Sequence, residues 1–267
     1  MIWLLIGYIL ARVELIITAK NYDNVHVGWG SIPGTLRRKN MAPMRYRVLV
    51  PWTIGRIKDI NTRLNAYAVF RWLSVAAALA CVAWAWDWKV ALVTAAMIPV
   101  TFEFDYWNWP IELGAVALGM TGLFVPAAVG GVFLALSKET APIVAVAYWS
   151  VTQDWIGAGI ILALIMAIMA AVRAYQGKAV LYCERWMLWR NIEKLKEWRE
   201  SSPMIFGSPV LTLSVTILII VSSLTRMGWD SIVPLSFLAA GYFFALANET
   251  RIFVSAFPWI AAWILTL

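Results

Sequence analysis

Charged side chains are scarce in this chain. Only 14% of its 267 residues are Asp, Glu, Lys or Arg, where soluble domains carry about 25%. Histidine occurs once, at His26, and cysteine twice, at Cys81 and Cys183. So few charges, with no long polar stretch, leave no room for an independent soluble domain and exclude a cytosolic metabolic enzyme or a disordered tail protein. Cys81 falls in an apolar segment and Cys183 in a basic loop, which excludes a disulfide-built secreted scaffold; both are read as unpaired. His26, without a second His or Cys near it, makes a poor metal site and is read as a surface histidine.

Apolar sequence fills the chain instead: 62% is hydrophobic, the mean hydropathy is +0.73, and 17 residues are Trp. Lipid is the solvent such a composition requires. The expected fold is all-α, a polytopic integral membrane protein forming a single membrane domain over residues 1–267. The convincing spans are residues 2–18, 66–86, 156–172, 210–225, 232–247 and 252–267. The first lacks a basic leader and carries Arg12 and Glu14 near its end, so it reads as a retained span. Between residues 90 and 152 the apolar runs shorten. Residues 90–102 would cover about two-thirds of the hydrocarbon core as a helix, and residues 111–136 are interrupted at Val125, Pro126 and Gly130–Gly131. Short or broken helices persist in lipid only where they pack on protein or line a wet cavity, and the cavity is expected there. About nine or ten transmembrane or re-entrant segments result.

Alternating these spans makes the molecule lopsided. Of the 22 Lys and Arg, 18 fall on one face: nine in residues 20–63, Lys138, seven in residues 173–199, and Arg251. The other face receives Lys89 and Arg226, while Arg12 and Arg71 lie inside spans. Most Trp residues, such as Trp84, Trp86, Trp88, Trp186 and Trp189, stand near span ends and read as interfacial anchors. Residues 174–208 place Trp186, Trp189, Ile192, Leu195 and Trp198 at helical spacing among Arg and Lys, the pattern of a basic amphipathic helix lying in the interface.

Several polar constellations share the basic face. Asp23 follows the first span within Asn21–Tyr22–Asp23–Asn24, opening a polar loop at residues 19–63 that includes an interfacial helix. Arg45 and Arg47 flank Tyr46 before an apolar run broken by Pro51; guanidinium forks suit phosphate oxygens and equally suit anionic headgroups. Residues 103–112 form an acidic turn read as re-entrant, with Glu103, Asp105 and Glu112 beside Trp107 and Trp109. Carboxylates at such depth are expensive and functional by default: they could ligate a divalent cation, hold a hydroxyl, accept a proton or pair with Arg45 or Arg47. Trp107 and Trp109 offer flat aromatic faces to a sugar or an isoprenoid chain. Lys138–Glu139 and Glu249–Arg251 are short charged joints that could cap helix ends.

The order of these motifs resembles the GT-C class of polytopic glycosyltransferases, which use polyprenyl-phosphate sugars. The likeness lies in an acid-bearing first loop, the Tyr46-Arg47-Val48-Leu49-x-Pro51 element, the later Asp105–Tyr106 turn, Lys138–Glu139–Thr140, and Glu249-x-Arg251 ahead of Pro258. The resemblance implies transfer of a sugar from a polyprenyl-phosphate donor to a lipid, glycan or protein acceptor. Carried over, Asp23 is the base or acceptor-orienting carboxylate, and Glu103 and Asp105 orient sugar or acceptor. Arg45, Arg47 and Arg251 grip the donor phosphate, with Lys138, Glu139, Glu249, Trp107 and Trp109 completing the substrate site. Arginines can neutralise one phosphate, so no metal is strictly required and a divalent cation stays optional. The expected partners are the polyprenyl-phosphate sugar and membrane lipids, not nucleic acid, and the expected location is a bacterial or archaeal plasma membrane. The basic face is cytosolic by the positive-inside rule and external by the resemblance, so orientation stays open. The alternative reading is a non-catalytic subunit of the same fold that scaffolds membrane protein partners.

Overall fold

The computed structural model describes residues 1–18, 37, 48–101, 108–177, 209–226, 228–244 and 250–267. Among the described residues the chain is all helical, with no strand. In chain order the α-helices are α1 (Ile2–Thr18), α2 (Leu49–Thr53), α3 (Ile60–Ala85), α4 (Trp88–Met97), α5 (Asn108–Met120) and α6 (Phe124–Ala135). They continue as α7 (Ile143–Thr152), α8 (Trp155–Gln176), α9 (Pro209–Arg226), α10 (Ile232–Phe244) and α11 (Phe257–Ile264).

Local chemistry sets several boundaries. An aspartate caps each of α3, α4 and α8: Asp59 accepts from Thr62 N, Asp87 from Lys89 N and Val90 N, and Asp154 from Gly157 N. Each thus satisfies backbone donors that the first turn leaves without intrahelical partners. The turn between α5 and α6 uses Gly122 at φ 69°, a left-handed conformation that a Cβ disfavours.

The chain breaks at Gly122, not at Pro126 or Gly130–Gly131 as the sequence suggests. Pro126 falls in the first turn of α6, where its missing N–H removes no intrahelical bond. Gly130 lets α6 approach α5 closely: a Cβ there would stand 3.1 Å from Ala115 Cα. Similar approaches bring Gly114 against Ala78 of α3 and Gly119 against Ala147 of α7. Helix α5 is therefore the central rod, gripped through small residues by α3, α6 and α7, as helices associate where burial in water cannot drive them together.

The last apolar run departs further from expectation. Residues 252–267 form no single lipid-facing span. A seven-residue 3-10 segment, Thr250–Ala256, leads into α11, together about 26 Å long at 2.0 and 1.5 Å per residue. Every residue from Phe253 to Ala262 is buried. The physical reason is in the composition: this stretch is apolar on all sides apart from Ser255, and a helix hydrophobic all round belongs in the interior.

Other differences are smaller. Helix α3 begins at Ile60, six residues before the expected span and inside the expected polar loop, because Asp59 caps it. Helix α4 is short, as expected, and runs on into a 3-10 turn at Ile98–Thr101. Among the described residues, α3 and α8 have the length and apolarity to cross a membrane. Helix α8 continues through Gln176, so residues 174–176 of the expected interfacial segment belong to it. Residues 178–208 lie outside the described residues, as does most of the loop at 19–47.

Candidate functional site

Two buried ion pairs meet at the start of α5. In the first, Glu14 of α1 pairs with Arg71 of α3, each about 1% exposed. Trp109 Nε1 donates to Glu14 Oε1 at 3.2 Å, and the Arg71 guanidinium lies 5.6 Å from the centre of the Tyr67 ring. In the second, Lys138 Nζ donates to Glu112 Oε2, and Thr140 Oγ1 donates to Glu112 Oε1. Glu112 is fully buried and Lys138 largely so. Each carboxylate thus has a cation and a neutral donor, the arrangement a buried charge needs to be tolerated.

These contacts fix which chain ends lie together. The C-terminal part of α1, the first two turns of α5 and the joint between α6 and α7 share one end of the bundle. A third segment joins them there. Leu136 O accepts from Val48 N at 2.8 Å and from Leu49 N at 2.9 Å, and Val48 is the residue after Arg47. The opposite end carries the turn at Gly122, beside Val151 and Thr152, and the Trp149–Trp229 edge-to-face pair.

Several buried polar atoms in the bundle have no hydrogen-bond partner among the described residues. They are both carboxamide atoms of Asn108, Thr94 Oγ1, Ser255 Oγ, Trp259 Nε1 and Gln176 Oε1. At the surface of the polar end, a small hollow opens between the end of α6 and the last turns of α8. It is lined by Ala135, Lys138, Glu139, Met169, Val172 and Arg173.

Of the site residues expected from sequence, Lys138, Glu139 and Trp109 have described side chains. Lys138 turns to Glu112, 26 residues away in sequence, and not to the adjacent Glu139. Trp109 was expected to line a substrate groove; it lies instead in the core at 4% exposure, its indole N–H spent on Glu14. Residues 108–112 are not part of a re-entrant turn but the opening of α5, so Glu112 projects from a helix. Asp23, Arg45, Arg47, Glu103, Asp105, Trp107 and Glu249 lie outside the described residues, as does His26. Arg251 falls within the 3-10 segment with its side chain undescribed. Among the described residues no three His, Cys, Asp or Glu side chains gather.

Sequence reasoning gave no role to Glu14, Arg71 and Asn108. The signal for the first two was present in part: Arg71 is the lone charge in its apolar run and needs an acid, while Glu14 has Arg12 two residues before it as a competing partner. Asn108 carries no such signal. No family model, curated protein or solved structure matches the chain.

Proposed function

We propose that the chain is a polytopic membrane protein that transfers a sugar from a polyprenyl-phosphate donor to a lipid, glycan or protein acceptor. The observation that carries this reading is the joint at Leu136–Thr140. It holds Val48, next to Arg47, through Leu136 O, and it holds Glu112, at the end of the acidic stretch, through Lys138 and Thr140. Val48, Glu112 and the joint, far apart in sequence, are thereby tied to one end of an apolar bundle. The membrane part of the reading draws on α3 and α8 and on the outward apolar faces of α1 and α8, including Leu5, Ile9, Ile156 and Ile160. At the other end Trp84, Trp88, Trp155 and Trp229 are exposed, as interfacial anchors are.

In this mechanism Asp23 accepts the proton of the acceptor hydroxyl while Arg45, Arg47 and Arg251 stabilise the departing lipid phosphate. Glu103 and Asp105 orient the sugar or acceptor. The buried pairs Glu14–Arg71 and Glu112–Lys138 hold the supporting helices in register beneath that site.

The test is transfer of radiolabel from farnesyl-phosphate-linked hexoses and pentoses to a membrane lipid extract by the purified chain. Asp23→Asn should lower transfer by at least about 100-fold, the scale of a lost general base, without moving the unfolding midpoint. Unchanged transfer removes Asp23 from the chemistry. Maleimide labelling of Cys183 in intact cells, with a Cys183→Ser control, decides which face carries the site. A second reading, a non-catalytic subunit, is favoured by one observation: Lys138 and Trp109 both spend their polar atoms inside the bundle. Stoichiometric membrane partners in the purified material, with no transfer, would select it.

A further inference from the structure

The outward face of α6 is shorter than the bilayer it has to meet. Phe124, Val125, Val129 and Phe133 on that face are 39, 67, 46 and 50% exposed. Polar groups bound it at both ends. At one end the Phe124 ring stands edge-to-face with Tyr148, 6.2 Å between centres, and the Tyr148 hydroxyl donates to the exposed Asp154 carboxylate at 3.0 Å. At the other end the apolar run stops at Leu136 and gives way to Ser137, Lys138, Glu139 and Thr140. From Phe124 to Lys138 the chain climbs about 21 Å at about 1.5 Å per residue, and tilt only lowers that height. The hydrocarbon core is about 30 Å thick. Helices α3 and α8, with 26 and 22 residues, reach about 39 and 33 Å and have no such deficit.

Neither end of α6 is free to move outward. The turn at Gly122 lies against Val151 and Thr152, and the joint at the far end is held by the Lys138–Glu112 pair and by the bonds of Leu136 O to Val48 and Leu49. Either carboxylates enter hydrocarbon or the bilayer yields. The first is expensive, while thinning costs little per ångström. We propose that lipid covers α6 and that the bilayer thins beside it to about 20 Å, making this face an interaction surface for a locally thinned membrane. Headgroups drawn down there stand level with the joint that holds Val48 and Glu112. The inference rests on the membrane reading given above but not on sugar transfer, and it gives the outward residues of α6 a role the transfer mechanism does not use.

The test places a nitroxide at Phe133→Cys in the full chain carrying Cys81→Ala and Cys183→Ser, and a reference label at Leu73→Cys on the outward side of α3, 47% exposed. Depth is read by power-saturation EPR in dimyristoleoyl-, dioleoyl- and dierucoyl-phosphatidylcholine vesicles. The Phe133 label should stay about 7–8 Å below the phosphates in all three, five residues before Lys138. The Leu73 label should sink by about half of whatever thickness is added, since α3 is long enough to leave the bilayer around it unthinned. Val125→Cys, near the other end of α6, gives the same reading if Phe133→Cys does not fold. An α6 label that sinks in step with Leu73 as the chains lengthen overturns the proposal. So does a label shielded from oxygen in every lipid, which would mean that a second copy or another protein covers the face. Carbonate extraction, run in parallel, reports on the membrane reading by itself: a chain released by carbonate removes that reading and the thinning with it, whereas a retained chain with lipid-dependent depth removes the thinning alone.

Discussion

The Glu14–Arg71 pair offers the sharpest test of how this bundle is held together. Both side chains are about 1% exposed, and they link α1 to α3 within apolar surroundings, with Trp109 bringing α5 to the same carboxylate. Arg71→Met keeps most of the volume and deletes the charge, taking from Glu14 its buried cationic partner. Removing one partner of a buried pair costs about 3–5 kcal/mol. That is the destabilisation expected of Arg71→Met at pH 7. Glu14→Leu combined with Arg71→Met removes both charges and should fall within about 2 kcal/mol of the parent, the residual loss coming from the Trp109 N–H left without its acceptor. SDS-induced unfolding in mixed micelles, followed by tryptophan fluorescence, measures all four corners of the cycle. A single-variant loss under about 1 kcal/mol, or a double variant as unstable as Arg71→Met, would refute the argument.

Two further predictions use the same unfolding assay. A Cβ on Gly119 would stand 2.9 Å from Ala147 Cβ and 3.0 Å from Val144 O, so Gly119→Ala should destabilise by about 1–3 kcal/mol, whereas Gly159, with nothing within 4 Å, should accept Ala with no loss or a gain up to about 1 kcal/mol. The Asp154 carboxyl is held below the usual carboxylate range, first by the Gly157 N–H and then by the Tyr148 hydroxyl. A depressed folded-state pKa contributes stability above the unfolded value near 3.9 that is lost as pH falls through the folded value, so Asp154→Ser, which caps without titrating, should show a shallower loss of thermal stability below about pH 4.

Which features were readable in the sequence follows from what each depends on. Helix positions depend on local apolarity and caps, and residues 156–172 and 210–225 fall inside α8 and α9, with one residue to spare at each end except the last four of α8. The break in residues 111–136 depends on which glycine takes a positive φ, and several glycines competed for it; Gly122 wins because Gly130 and Gly131 are needed as flat surfaces against α5 and α8. Interior placement of the last run depends on tertiary company. Its apolarity is as compatible with lipid as with protein, and the closeness of α4, α5, α9 and α10 decides it.

The candidate site divides along the same line. Lys138, Glu139 and Glu112 were marked by charge within apolar sequence, yet the partnership of Lys138 with Glu112 was not, because it spans 26 positions and competes with the adjacent Glu139. What decides it is desolvation. Glu112 projects from a central helix and is fully buried, so an unpaired carboxylate there would carry the full penalty of burial, while Glu139 at the rim is only half-buried. The cation therefore goes to the acid that needs it more. The same argument holds for the other pair: Arg71 goes to Glu14, the second acid that the bundle buries.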